Sequence, residues 1–369
     1  MSFTFQEKQF NIVRYPETSN KSLRAWNAGD EYVLSRLEEM GYAGKSIVII
    51  NDRFGFLSTI LHEANPYVVV EWKSQERAIQ QNLKAHDFEC VEDRSLSPLQ
   101  ELPEAVDIAT IQIPKTLDLF KLYLQQASKS LKEDGVVLCS FMTKYFSPQM
   151  LSIAEEYFEE VDQSLARKKS RILTLKGKKK REEESFVEEI PFSFSEGNEE
   201  NLKQYPGVFS SGSIDYATQF LIEHLSLSGE DQKVLDLASG NGVIARAAQI
   251  QNPEAEIHLV DDSRLAIESS KLNLNPENVH FHWDDTLDGL EKDSFDLVLS
   301  NPPFHFGHET NIEVSIQLFK QVSEILKPGG KFICVANQHL NYKTHLNEIF
   351  DKGEVLANNK KYILYKVTA

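Results

Sequence analysis

The tetrapeptide Asn301-Pro302-Pro303-Phe304 follows an apolar run, Phe295 to Ser300, and sets two hydrogen-bond acceptors side by side. The Asn301 side-chain oxygen and the Pro302 carbonyl can each accept one N–H of an amine. An exocyclic amine conjugated to a ring needs such help, because its lone pair is delocalised. Two acceptors favour pyramidal geometry, aim the lone pair at an electrophile and stabilise the positive charge growing on nitrogen. The prolines fix the backbone and bring no competing N–H. Phe304 offers a face for a planar ring to stack on. No dedicated general base is required if the proton leaves after the new bond forms. The alternative is a Pro-Pro turn that merely caps a strand, with Phe304 in a core; the asparagine in front and the strand-end placement favour the first reading. His305 and His308 follow, as phosphate or base contacts or as plain surface residues. No cysteine or further histidine stands with them at metal-ligand spacing, and no metal is expected.

A second set of residues could hold a ligand. The strand-like Lys233 to Leu237 runs into Ala238-Ser239-Gly240-Asn241-Gly242. Gly240 and Gly242 would let the chain approach a ligand closely and leave backbone N–H groups free near a helix start. Asp236, at the strand end, can orient this loop or accept a hydrogen bond from a ligand ammonium. Asp261 stands about 20 residues after the glycine turn, where an acid can hold ribose hydroxyls. Asp284 follows the strand-like Val279 to Trp283, placed to meet an adenine amino group or else a surface carboxylate without a task. Glycine turns occur in nucleotide-binding dehydrogenases as well, but this loop does not follow the G-x-G-x-x-G spacing.

These residues need a parallel sheet to bring them to one edge. In the C-terminal half, strands Lys233 to Leu237, Glu256 to Val260, Phe295 to Ser300 and Lys331 to Ala336 alternate with helical patterns at Val243 to Gln249, Leu265 to Asn273 and Glu313 to Leu326. That alternation indicates a doubly wound α/β sheet, whose ligands lie beyond the carboxyl ends of its strands. The N-terminal half repeats the order. Ser46 to Ile50 ends in Asn51-Asp52-Arg53-Phe54-Gly55. Tyr67 to Val70 ends in Glu71-Trp72, before a helix over Ser74 to Ala85. Asp107 to Ile113 runs into Pro114-Lys115, and Leu131-Lys132-Glu133-Asp134-Gly135 introduces Val136 to Phe141 as Leu326 to Gly330 introduces its strand. Offsets between matching features stay between roughly 185 and 195 residues, the mark of a duplicated unit. The lead-ins pair Ala28 to Tyr32 with Gly212 to Tyr216. The domains expected are 1–185 and 186–369, with the boundary in the region Lys176 to Tyr205, where Phe192 to Phe194 reads as a connecting strand.

At 369 residues, 41% hydrophobic and 26% charged, the chain has the composition of a soluble protein with two cores. No run of about 18 apolar residues offers a membrane span. Met1 to Phe10 has no signal-peptide pattern, and the three cysteines are far apart, so a reducing cytoplasmic location is expected. A net charge of −17 argues against non-specific coating of nucleic acid. Yet Arg167 to Arg181 holds nine basic residues and no acidic one, and Glu182 to Glu184 follows at once. Two readings stay open for that run: a solvated linker or hairpin rim, and a phosphate-contacting patch.

The run Val234 to Gly242, with Asp261, Asp284 and Asn301 to Phe304, resembles the Rossmann-like S-adenosylmethionine methyltransferases. The segments Pro206 to Ser210, Asp215, Val335-Ala336-Asn337 and Asn358 to Tyr362 extend the likeness to the bacterial ribosomal RNA guanine-N2 methyltransferases, across nearly the whole chain. Leu23 to Tyr32 is closer to the large-subunit enzyme than to its small-subunit sibling. The resemblance implies two tandem methyltransferase folds, the N-terminal one degenerate and without cofactor, and methyl transfer to N2 of a guanine in large-subunit ribosomal RNA. Asn301, Pro302, Pro303 and Phe304 would form the base site. Asp236, Ala238, Gly240, Gly242, Asp261 and Asp284 would line the S-adenosyl-L-methionine site, and Phe209 would close it. Ala238 departs from the glycine usual there, which puts affinity in doubt more than fold. Arg167, Lys168, Lys169, Arg171, Lys178, Lys179 and Lys180 would contact RNA phosphates, and two joined units suggest a monomer. Adenine-N6 and glutamine-amide methyltransferases share an Asn-Pro-Pro-aromatic turn. A binding factor that has lost catalysis is the remaining alternative.

Overall fold

The computed structural model describes residues 1–89, 92–210, 212–303, 305–306, 309–310, 312–350 and 352–369. The chain divides into two compact units, Met1–Phe186 and Val187–Ala369. Among the described residues no helix is long and apolar enough to cross a membrane.

The N-terminal unit is built on strands β1 (Ile47–Ile50), β2 (Tyr67–Val69), β3 (Ser95–Leu96), β4 (Val106–Gln112), β5 (Leu131–Met142), β6 (Phe158–Gln163) and β7 (Ser170–Lys178). Their order across the sheet is β3-β2-β1-β4-β5-β7-β6. The C-terminal unit has β8 (Lys233–Leu237), β9 (Glu256–Asp261), β10 (Val279–Trp283), β11 (Phe295–Ser300), β12 (Leu326–Asn337), β13 (Lys352–Asn358) and β14 (Tyr362–Thr368), ordered β10-β9-β8-β11-β12-β14-β13. The two orders are the same. In each unit the first six strands run in one direction, and the last, β7 or β14, is inserted antiparallel between the fifth and the sixth. The duplication read from the sequence is therefore a duplication of topology. The free cysteines Cys139 and Cys334 occupy matching register positions, beside Ile111 and Ser300.

The paired Leu-Lys-x-x-Gly turns show why glycine recurs there. Leu131 pairs with Val106 and Leu326 with Phe295 before each chain turns, so β5 and β12 start five residues earlier than expected. A Cβ on Gly135 would lie 3.1 Å from the carbonyls of Lys132 and Val106, and one on Gly330 would lie 2.9 Å and 3.0 Å from those of Lys327 and Phe295. Backbone crosses backbone too closely for any side chain.

Helices α1 (Ala28–Met40) and α2 (Phe56–Ile60) belong to the first unit, with α3 (Lys73–Lys84), α4 (Leu117–Ser130) and α5 (Pro148–Tyr157). The second unit has α6 (Tyr216–Glu223), α7 (Val243–Gln251), α8 (Arg264–Lys271), α9 (Glu313–Ile325) and α10 (Tyr342–Ile349). The second sheet buries one core with Val234, Ile257 and Leu297 and another with Leu235, Val260 and Val298, as alternation along each strand requires. The lead-in helices are capped by Asn27 and by Asp215, so the residue matching Asp215 is Asn27, one helical turn earlier than the lead-in pairing places it. The expected strand Phe192 to Phe194 is part of a hairpin, Glu188–Ser195 against Asn198–Gln204, held to α8 through Asn273 and Ser269.

The basic run is not a linker but part of a hairpin, as one of the two readings had it, and its cations fall at two separate ends rather than in one patch. It contains β7, an inner strand whose Ile172, Leu173 and Leu175 are buried. Arg167, Lys168 and Lys169 are exposed in the turn before it. Lys178, Lys179 and Lys180 lie at its far end, about 27 Å away along nine residues of strand.

Candidate active site

Asp236 is fully buried near the end of β8, and its Oδ2 accepts from the Ala245 N–H, 2.9 Å away, at the start of α7. Its other oxygen, Oδ1, is buried without a hydrogen-bond partner, as is the Ser239 hydroxyl of the next loop. Buried polar atoms of this kind call for a partner. Burial, with Asp261 nearby, pushes the Asp236 carboxyl up to about 7.

The loop after β8 uses its small residues in three ways. Ala238 has φ +59°, the left-handed region where glycine is at ease. Gly240, at φ +56°, faces open space: a Cβ there would meet nothing within 4 Å. Gly242, at φ +79°, caps α7, and a Cβ would strike Leu274 at 2.8 Å. The loop is tied to the end of β9, because Gly240 N–H donates to Asp261 Oδ2 at 2.9 Å and Ser263 N–H donates to Oδ1 at 2.8 Å. Desolvation nevertheless pushes Asp261 up to about 7. Asp284 is joined to this edge by its own N–H, 3.1 Å from the Asp261 carbonyl, while its Oδ1 accepts from Thr286. Phe209 is 58% exposed.

At the next strand end, the Ser300 hydroxyl donates to the Leu237 carbonyl at 2.7 Å, joining β11 to β8. Asn301 Nδ2 donates to Thr218 Oγ1 at 3.0 Å and to Asp215 Oδ2 at 3.3 Å. With both donors directed at α6, the Asn301 Oδ1 is left as the acceptor. The Pro303 carbonyl accepts from the Ser315 hydroxyl, which in turn accepts from Tyr342 at 3.1 Å. Asn301 and Pro302 line a cavity with Asp215, Asn337, Tyr342 and Lys361. Segments far apart in sequence thus meet at one pocket. Phe304 and His308 lie outside the described residues. Thr218, Ser315 and Tyr342 escape a motif reading. Asp215 stood there only as part of the resemblance, although an aspartate just ahead of a helical pattern is a cap signal.

The matching edge of the N-terminal unit is closed by its own side chains. Asn51, at φ +65°, stands where Ala238 stands, and its amide donates to the Gln112 carbonyl at 2.7 Å. Gln75 donates to the carbonyls of Asp52 and Val69. Arg53 lies 4.9 Å over the Trp72 ring and donates to Ser74. Glu71 is buried and accepts from Tyr123 at 3.1 Å.

A seven-stranded sheet of this order, with a glycine turn, a strand-end acid and an Asn-Pro-Pro turn at neighbouring strand ends, defines a Rossmann-like S-adenosylmethionine-dependent methyltransferase. The comparisons agree with that class: residues 199–366 match the methyltransferase small domain, and residues 1–179 match the RLMG N-terminal domain. The ribosomal RNA large subunit methyltransferase G of Pseudoalteromonas translucida (strain TAC 125) is 31% identical over 98% of this chain and 96% of its own. That of Aliivibrio salmonicida (strain LFI1238) is 32% identical over 97% and 95%. The chain belongs to the family of the ribosomal RNA large subunit methyltransferases G. Among solved structures, the T. thermophilus 16S rRNA N2 methyltransferase (RsmC), in complex with AdoMet and guanosine, superposes with a TM-score of 0.79 at 18% identity, covering 100% of this chain and 97% of that one.

Proposed function

We propose that this protein transfers a methyl group from S-adenosylmethionine to the exocyclic N2 of a guanine in large-subunit ribosomal RNA. The observation that carries the reading is the orientation of Asn301, whose amide nitrogen is spent on Thr218 and Asp215 so that its oxygen is the acceptor beside the cavity. When bound, the cofactor supplies an electrophilic methyl group. Asp236, Gly240, Asp261 and Asp284 would hold it along the ends of β8, β9 and β10, with Phe209 over it. Asn301 Oδ1 and the Pro302 carbonyl accept the two N–H bonds of the amine and direct its lone pair outward. The rigid Pro302-Pro303 turn, anchored through Ser315, keeps those acceptors in place. The guanine must be unpaired, or leave its helix, to reach them. The choice of ribosomal RNA rests on what the relatives are named for.

The N-terminal unit acts in this reading as an RNA-docking platform. Its exposed turn, Arg167 to Lys169, is the phosphate contact; Lys178, Lys179 and Lys180 stand apart from it.

The test is transfer of labelled methyl groups to protein-free large- and small-subunit ribosomal RNA, beside Asn301→Ala. The reading requires label as N2-methylguanine in large-subunit RNA, and a fall of roughly 100-fold or more in rate in the variant with cofactor binding kept. Label in small-subunit RNA alone would reassign the substrate. Label on neither, with cofactor bound, would remove it.

A further inference from the structure

Glu256 and His258 alternate on β9, His280 and His282 alternate on the edge strand β10, and the parallel register sets His258 beside His280. Strand periodicity puts all four side chains on one face of the sheet, the face that buries Leu235, Val260 and Phe295 further in. Glu256 begins β9, whereas Asp261 ends it, so the cluster stands at the opposite end of the strand from the cofactor edge.

We infer that Glu256, His258 and His280 form a binding site for a divalent transition metal of the zinc class. One ligand atom from each lies within 4.8 Å of the other two. Glu256 Oε1 is 2.7 Å from His258 Nε2 and 3.5 Å from His280 Nε2. A tetrahedral ion with bonds of about 2.0–2.2 Å holds its ligand atoms roughly 3.3–3.6 Å apart, so small side-chain rotations complete the set. Two imidazoles and a carboxylate suit zinc, and the His280 side chain, 51% exposed, leaves the outer side open for water as a further ligand.

The second ring nitrogen of His258 is already directed. His258 Nδ1 lies 2.9 Å from His282 Nε2, and the two rings stack within 4° of parallel. A neutral imidazole carries one proton. With an ion on Nε2, that proton resides on Nδ1 and is donated to His282, the way ligating histidines are oriented. Lys233 Nζ, 3.6 Å from Glu256, is a competing cation and limits the affinity. The ion would clamp the edge strand β10, whose end leads to Asp284. Neither the widely separated cysteines nor the neighbourhood of His305 and His308 offers metal-ligand spacing, and no metal was expected. Glu-x-His and His-x-His on adjacent parallel strands are a ligand pattern only once the register is known.

Chelator-treated full-length protein should be titrated with zinc(II) by calorimetry and with cobalt(II) by visible absorption. The site requires one saturable equivalent, ligand-field bands of a low-coordinate cobalt ion, and a Tm raised by the metal. His280→Ala and Glu256→Gln should each weaken binding at least tenfold, and His282→Ala roughly tenfold through loss of the orienting partner. Lys233→Met should bind more tightly. His280 is half exposed, and an unchanged metal-free Tm in His280→Ala shows that its fold is intact. No stoichiometric uptake by the parent protein, or a His280→Ala variant that binds as tightly as the parent, would overturn the site.

Discussion

The amide of Asn301 has two ends, and only one is useful to an amine donor. Thr218 and Asp215 decide which end faces the cavity by taking both N–H bonds. Thr218→Val keeps the volume and removes one acceptor, so kcat should fall roughly tenfold or more while the cofactor Kd stays unchanged. Single-turnover kinetics beside a cofactor titration checks this; a Kd that moves with kcat would show a general collapse of the edge instead. Asp261 carries a second consequence. Its carboxyl is held up to about 7, and only the ionised form accepts on both oxygens and offers a hydroxyl pair its full charge. Affinity for S-adenosylmethionine should therefore rise between pH 6 and pH 8, and Asp261→Asn should bind weakly with a flat profile. Ala238 adds strain of about 1–2 kcal/mol by holding a left-handed conformation without being glycine. Asn51 meets the same requirement at the equivalent position of the other unit with a residue that tolerates it.

Among the elements, β7 has the most instructive history. Its sequence reads as charge because lysines and arginines crowd its ends, yet Ile172, Leu173 and Leu175 are packed inside the sheet. The flanking cations then fall at opposite edges. At one end, Lys178 and Lys179 are engaged by the carbonyls of Leu131 and Glu155. At the other, Arg167 and Lys168 reach Ser35 and Glu31 but stay exposed. If the exposed turn contacts phosphates, Arg167→Ala/Lys168→Ala/Lys169→Ala should weaken RNA binding and lower the salt slope by up to about three, while changes at Lys178 to Lys180 should alter it less. Binding measured from low to high salt separates the two ends. Strands β1, β2, β4, β5 and β8 to β12 were legible as short runs rich in apolar residues that close on polar or turn-forming ones, whereas β3, β6 and β13 were not read. The closing antiparallel strands β7 and β14 were not, since their apolar positions are diluted by lysines and their partners are distant in sequence. The strand-end positions of Asn301, Asp236 and Asp261 were legible from type and spacing. Thr218, Ser315 and Tyr342 were not, because a supporting hydrogen bond leaves no trace until helix and strand are brought together.

At the scale of the molecule, the net charge of −17 is accompanied by carboxyls that resist ionisation. Asp30, Asp236 and Asp261 are each held up to about 7, mainly by desolvation. A folded state that holds protons more tightly than the unfolded chain is favoured at low pH and loses that advantage as pH rises from about 4 to about 7. His258 works with the opposite sign, being neutral when folded, but its influence ends near its ordinary value of 6.5. The Tm of the cofactor-free protein should therefore fall from pH 6.5 through about pH 7 and level off above it, and Asp30→Asn should flatten that fall. A Tm that rises over this interval would contradict the burial of these groups.

The closed edge of the N-terminal unit has a bearing on its past and its future. Asn51 answers the Gln112 carbonyl, Gln75 answers two carbonyls, and Tyr123 answers Glu71. Each of these groups is now someone else's partner. Restoring a glycine at position 51 or 53 would not reopen a binding edge; it would strand the neighbour left behind. The closed edge thus works as a ratchet: each hydrogen bond in place ties down two groups, so every step toward an open binding edge would have to break several of them at once.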